Sequence, residues 1–206
     1  MIEIKNEEGE LIHVVYADTL KGSNLNGTKL HGANLKEANL SYSLIIGSNL
    51  SRANLKGANL TGACLNNSFF NGANMVNANL TCADIYGSYF VFSDLTNANL
   101  SGAKLFRADF RNSKGLVGAN LTGAYLICAN LSGVNLTGAN LTGANLTGAN
   151  LTEANLTEAD LTGANFSGAD ITGANLTGAN LRDVVLTNAI RLISPNCKQQ
   201  DSHSVT

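Results

Sequence analysis

From Leu20 to Phe110 a large apolar residue, Leu, Ile, Met or Phe, stands at every fifth position, nineteen times in succession. The step slips by one residue in the stretch RNSKGL and then resumes from Leu116 to Leu186 for fifteen more. Two residues ahead of each stands a small side chain, Ala or Ser in nearly every copy, as in Ala33, Ser48, Ala78 and Ala144. Asp18, Thr28, Lys114, Val134 and Val184 break this rule, and all but Val134 lie at or near an end or the slip. Asn or Asp separates the two inward residues, and a polar residue and then often Gly follow them. Apolar positions recur every 3.6 residues on a helix face and every 2 on a strand face, so neither element fits a step of five. A backbone that turns a corner every five residues does fit, with the small residue and the large one inside and three residues outside. Glycine supplies the conformational freedom that frequent corners need.

Four such sides close a square coil of twenty residues, and the bulkiest inward residues test that number. Phe70, Phe90 and Phe110 recur at steps of twenty, so they stack on one inner face as a structural core, with Leu30 and Leu50 continuing the column below. Coils joined edge to edge by parallel main-chain hydrogen bonds are spaced by ~4.8 Å, and about 8.5 coils make a rod of roughly 40 Å. The pattern A-(N/D)-L-x-x, as in AlaAsnLeu at 33 to 35, AlaAspIle at 83 to 85 and AlaAsnLeu at 139 to 141, resembles the pentapeptide repeat family. That resemblance implies an all-β fold, a right-handed quadrilateral parallel β-helix, and a bacterial or cyanobacterial style of protein.

Residues 17–189 form the expected β-helix, with the slip near 111–116. Residues 1–16 read as an N-terminal cap, strand-like MIEIK and ELIHVVY around an acidic NEEG turn. A cap is needed because an open stack exposes unpaired main-chain groups. At the other end DVVLTNAIRLI is expected to form a short covering helix, and residues 190–206 a cap residue and polar tail.

Of the 206 residues, 44% are hydrophobic and only 14% charged, and the net charge of −2 conceals an uneven layout. Residues 1–18 carry −4, residues 19–114 carry +5, residues 115–181 carry −4 and the remainder +1. No segment is charged strongly enough to bind nucleic acid directly. The opening residues lack a basic stretch followed by an apolar one, and no run approaches the ~18 apolar residues of a membrane span, so the expectation is a cytoplasmic protein without membrane contact.

Candidate chemistry is sparse. Cys64, Cys82, Cys128 and Cys197 lack paired spacing, and His13, His31 and His203 are far apart with no ligand cluster, so no metal and no cofactor is expected. No nucleophile elbow or phosphate-binding loop is present, and the chain reads as no enzyme. The many Asn-Leu-Thr sequons follow from the repeat itself. Thr137 with Thr157, and Thr142 with Thr162, lie twenty apart and would present ranks of hydroxyls, a minor ice-binding alternative. The resemblance also implies a DNA-mimicking modulator of DNA gyrase or another topoisomerase as an alternative. Such mimicry needs a dense run of acids, whereas residues 115–181 offer only Glu153, Glu158, Asp160 and Asp170.

The departure from the repeat's own rule is on its outside. Leu44, Ile46, Phe69, Tyr86, Tyr89, Val91, Phe92, Phe106, Tyr125 and Ile127 are apolar or aromatic at outward positions. Ile46, Tyr86, Phe106 and, if the slip does not change face, Ile127 share one column, and Phe69 and Tyr89 share another, with Arg107, Arg111 and Lys114 expected at the rim. Such a patch marks binding to another protein or self-association. The competing readings are packing beneath the 111–116 loop or a folded-back cap, and tolerated scatter. The function expected is a non-catalytic, rod-shaped scaffold for protein–protein interaction.

Overall fold

The computed structural model describes residues 1–190; residues 191–206, with Cys197, His203 and most of the expected C-terminal cap and tail, lie outside the described residues. The chain winds as a right-handed quadrilateral β-helix whose coils are joined by main-chain hydrogen bonds between residues about twenty apart. The Leu50 amide donates to the Phe69 carbonyl at 2.7 Å, and the Phe69 amide donates back to the Ser48 carbonyl at 2.9 Å. Each side of a coil therefore contributes one rung to a parallel ladder, such as Asn49, Phe69 and Tyr89.

The repeat sequence also builds the corners. The Ala33 amide donates to the Leu30 carbonyl at 3.0 Å, closing a four-residue turn whose third residue, Gly32, has φ 67°. The Asn between the inward residues is part of the same turn: Asn49 Oδ1 accepts from the Ser51 amide at 3.0 Å. This local bond is why Asn and Asp recur there, since their short side chains reach the main chain two residues on.

Inside, Phe70, Phe90 and Phe110 form one continuous stack. Their ring centroids are 4.9 and 4.8 Å apart and the planes differ by only 4° and 9°. That distance is the coil spacing, so ring stacking and main-chain bonding are satisfied by the same repeat.

At the slip, Ser113 rather than Lys114 takes the small inward place, correcting the register expected from sequence. Ser113 is buried, its amide donates to the Phe110 carbonyl at 3.0 Å, and Lys114 is exposed. Its hydroxyl is the one buried side-chain polar atom without a hydrogen-bond partner among the described residues. Gly115 becomes the rung above Asp94, so two residues instead of one separate the inward Ser113 and Leu116. Gly115 has φ 134°, and an added Cβ would lie 2.9 Å from the Asn135 carbonyl oxygen, so only glycine fits there. The extra residue is absorbed without a change of face.

The two ends differ. β1 (Ile2–Lys5) and β2 (Leu11–Val15) form an antiparallel hairpin that buries Ile4 and Val15. The Asn34 amide donates to the Lys5 carbonyl at 2.7 Å, and Asn54 Nδ2 donates to Glu7 Oε1 at 2.7 Å, fastening the hairpin to one side of the rod. At the far end, residues 183–190 are not the covering helix expected for DVVLTNAIRLI; the coil continues instead. The Val185 amide donates to the Ala164 carbonyl at 3.0 Å and the Ile190 amide to the Ala169 carbonyl at 2.9 Å. Leu186 keeps the step of five and Val184 fills the small place, so the Val185 and Ile190 amides find partners on the coil below that a lone helical turn would lack. Among the described residues no helix is long and apolar enough to cross a membrane.

Removing the middle ring of the stack, Phe90→Ala, should lower unfolding free energy by about 3 to 5 kcal/mol, measured by urea titration, because a closed stack cannot collapse around the void. A second expectation concerns acid. Asp160 Oδ1 accepts from the Thr162 hydroxyl at 2.6 Å and the Thr162 amide at 3.0 Å, and these bonds, the hydroxyl foremost, hold the carboxyl below its ordinary range. A depressed folded-state pKa contributes stability that is present above the ordinary carboxylate value and is lost as pH falls through the lowered one. Thr162→Val should therefore raise the Asp160 pKa toward its ordinary range, read by carbon-detected NMR titration.

Candidate interaction surface

Four ladders define four faces. The first carries Leu44, Cys64, Asp84, Lys104 and Tyr125; the second Lys29, Asn49, Phe69, Tyr89 and Asp109. The third carries Asn34, Asn54, Asn74 and Asp94, and the fourth Asn39, Asn59, Asn79 and Asn99. All ten outward apolar residues expected from sequence fall on the first two faces and the corners that follow them. Leu44 and Tyr125 are on the first face, and Ile46, Tyr86, Phe106 and Ile127 on the corner after it. Phe69 and Tyr89 are on the second face, and Val91 and Phe92 on the next corner. The third and fourth faces carry ranks of Asn with no large apolar side chain; Val76 and Val117, on the corner between them, are half-buried.

Neighbouring rings in this patch stack along the rod. Phe69 and Tyr89 have centroids 5.2 Å apart with planes 6° apart, and Tyr86 and Phe106 are 5.5 Å apart at 10°. The stacked rings cover one another's faces and turn their edges outward. The Arg107 guanidinium carbon sits 5.2 Å from the Phe106 ring centre, capping that stack with charge. Ile127 follows Phe106 directly, the Arg107 amide donating to its carbonyl at 3.1 Å. Ile46 stands apart: Asn66 lies between it and Tyr86 in the column.

Replacing Asn by an apolar residue on a face removes the bond to the corner amide, and at Leu44 and Tyr89 the coil below supplies a substitute. With Leu44 in place, the Ile46 amide donates to Asn26 Oδ1 at 2.8 Å; with Tyr89 in place, the Val91 amide donates to Asn71 Oδ1 at 3.2 Å. Asn66 Oδ1 accepts from the Tyr86 amide at 2.8 Å in the same way, although there the face residue is Asp84. These supporting Asn residues were not legible in sequence, because a corner Asn normally has no such task. Tyr42, 61% exposed with Lys21 Nζ 6.0 Å from its ring centre, extends the apolar surface beyond the first face. Its signal was a bulky residue where the turn favours glycine.

The surroundings leave the patch open. The hairpin is fastened to the third face and to the N-terminal end of the corner before it, the corner that carries Val91 and Phe92 further along, where a hollow is lined by Glu7, Glu8, His31 and Arg52. Lys114 heads the third face, its amide donating to the Ser93 carbonyl at 2.7 Å, away from the aromatic cluster. Arg111 is engaged with Asp109, Nη2 to Oδ2 at 2.8 Å and Nε to Oδ1 at 3.1 Å, which raises the guanidinium's already high pKa. Lys104 and Arg107 are the cations left at the edge of the cluster.

Elsewhere the chemistry is structural. Among the described residues no three His, Cys, Asp or Glu side chains converge as metal ligands. Thr137 and Thr157 hydroxyls each donate at 2.6 Å to the Asn two residues before, so the threonine ranks are tied into turns rather than free.

A family model described as pentapeptide repeats matches residues 19–112 and 116–188 in overlapping blocks. No curated protein matches the chain. Among solved structures the chain is similar to HetL, a pentapeptide repeat protein involved in heterocyst differentiation regulation from the cyanobacterium Nostoc. It is 32% identical over 84% of this chain and 92% of that one, with a TM-score of 0.33. QnrB1, a plasmid-mediated fluoroquinolone resistance protein, is 23% identical over 82% and 90% with a TM-score of 0.39. Rfr23, a pentapeptide repeat protein from the cyanobacterium Cyanothece, is 25% identical over 82% and 88% with a TM-score of 0.26. With the family's repeat matched along most of its length and the square coil it specifies in place, the chain belongs to the pentapeptide repeat family.

Proposed function

We propose that this rod is a non-catalytic scaffold whose first and second faces, with the corners that follow them, bind another protein. The observation that carries the reading is the segregation of outward apolar side chains: ten on two adjacent faces and the corners that follow them, against Tyr42, Val76 and Val117 on the remaining corners and ranks of Asn on the other two faces. Scatter would spread them over all four sides. A contiguous apolar surface with aromatic residues and a nearby arginine has the composition of a protein interface rather than of ordinary surface.

The exposure of Phe92 supports the same reading. Phe92 is 62% exposed and has φ 60°, a left-handed conformation that disfavours a side chain by roughly 1 to 2 kcal/mol. An aromatic ring held there without burial contributes little to the fold. The rod is rigid before it binds, so association orders few groups and a modest patch gives useful affinity. Topoisomerase modulation by DNA mimicry is less well supported. Glu153 and Glu158 lie on different corners and Asp160 and Asp170 on the fourth and second faces, so they form no acidic stripe.

Changing Ile46, Tyr86, Tyr89 and Phe106 together to Ser should leave the coil folded, by circular dichroism, while abolishing protein partners recovered by affinity capture and any self-association. A folded variant that keeps every partner and the parental oligomeric state removes the reading. Phe92→Gly should be neutral to about 1 kcal/mol more stable in thermal unfolding, by relief of the left-handed side chain, and weaker in binding.

A further inference from the structure

Resting on the interface reading above, we propose that the partner of the second face is a second copy of this chain, laid antiparallel alongside the first. On the second face the rungs run from Lys29 through Phe69, Tyr89 and Asp109 to Asp170. Asp109 is engaged with Arg111, which leaves Lys29 near one end and Asp170 near the other as its unpaired charges among the described residues. Each is the fourth rung out from the gap between Tyr89 and Asp109. The adjoining corner repeats this arrangement, with Arg52 and Glu153 each three levels from the gap between Phe92 and Asn112. Both are exposed and neither has an ion-pair partner among the described residues.

A two-fold axis lying in the contact plane and perpendicular to the rod keeps every column opposite the same column of its mate and reverses the order of levels. Placed at the gap between Tyr89 and Asp109, it brings Lys29 over the mate's Asp170 and Arg52 over the mate's Glu153, each twice by symmetry. Tyr86 meets the mate's Phe106 on one edge. Tyr89, a hydroxyl donor, faces the level of the mate's Asp109 carboxylate. A parallel arrangement would set Lys29 against Lys29 and Asp170 against Asp170. The hairpin leaves the second face itself clear, since Lys5 and Glu7 anchor it to Asn34 and Asn54 on the third; at the adjoining corner Arg52 lines a hollow with the hairpin's Glu7 and Glu8, so Lys29 with Asp170 is the pair that stands free of the hairpin. The strip is long but only one coil side wide, at the low end of specific interfaces, below about 1,200 Å² in total. Association is therefore weak, and its charge pairs make it salt-sensitive.

The test is sedimentation with small-angle scattering on the full chain at 20 to 100 μM, in low salt and again near 0.5 M. Expected is a dimer in low salt whose maximum dimension stays close to that of one rod, with a dissociation constant at least tenfold larger in high salt. The variant Lys29→Asp with Arg52→Glu, and the variant Glu153→Lys with Asp170→Lys, should each be at least tenfold weaker in self-association. Mixed in equal amounts, they should recover the dimer as a heterodimer. Because Asp170 also accepts from the Thr172 amide at 3.0 Å, the exchange is repeated with Arg52→Glu against Glu153→Lys alone, which leaves that turn intact. A monomer at 100 μM in low salt, a dimer nearly twice the length of one rod, or charge variants that associate like the parent and gain nothing on mixing would each overturn the proposal. The scaffold reading would survive those results if the quadruple Ser variant still lost its captured partners.

Discussion

Everything in this molecule depends on keeping successive coils level, so that each amide on a side meets a carbonyl on the next coil. That requirement sets the twenty-residue period, and the period brings Phe70, Phe90 and Phe110 into one stack and Phe69 and Tyr89 into another. It also explains why the interior is so uniform. A square of this size has room on each side for one small and one large side chain, and a level stack gives no freedom to shift around a misfit. Val134 is the largest occupant of a small place in the middle of the rod, and it is fully buried. The charged Lys114 does not take that place; the chain bulges so that Ser113 can.

The outer surface follows different rules on different positions. The residue between the inward pair is tied to the corner by its own side chain, so Asn and Asp dominate it for local reasons. When Leu44 or Tyr89 stands there, the lost bond is made elsewhere, and Asn26 and Asn71 make it from the coil below. The third turn residue is left-handed in every repeat, and fifteen non-glycine residues hold that conformation among those described. These are the places where identity is maintained against the preference of the backbone.

Much of the fold was legible because the governing period is printed in the sequence: the inward columns, the faces and the hairpin's alternating strands all follow from spacing. The continuation of the coil through Ile190 was not read correctly, since Val184 and Val185 look like a break from the small-residue rule although Leu186 keeps the step. The exchange of Ser113 for Lys114 was hidden for a similar reason. Counting residues across a slip does not say which one is extra, and only the buried position selects the serine. The membership of the candidate surface could be sorted by column from sequence alone. Its support by Asn26, Asn66 and Asn71, and the fastening of the hairpin away from it, depend on contacts between coils that no local pattern encodes.

The Asn-Leu-Thr-Gly-Ala monotony of the second half leaves little to distinguish one coil from another. Between Asn135 and Leu151 a displacement by five residues superimposes identical side chains, so that stretch contains almost no information about its own alignment. The aromatic column, the hydroxyls of Ser48, Ser68 and Ser88 that donate to carbonyls of the coil before, and the bulge at Gly115 supply it. The irregular first half thereby acts as the template on which the regular half finds its alignment.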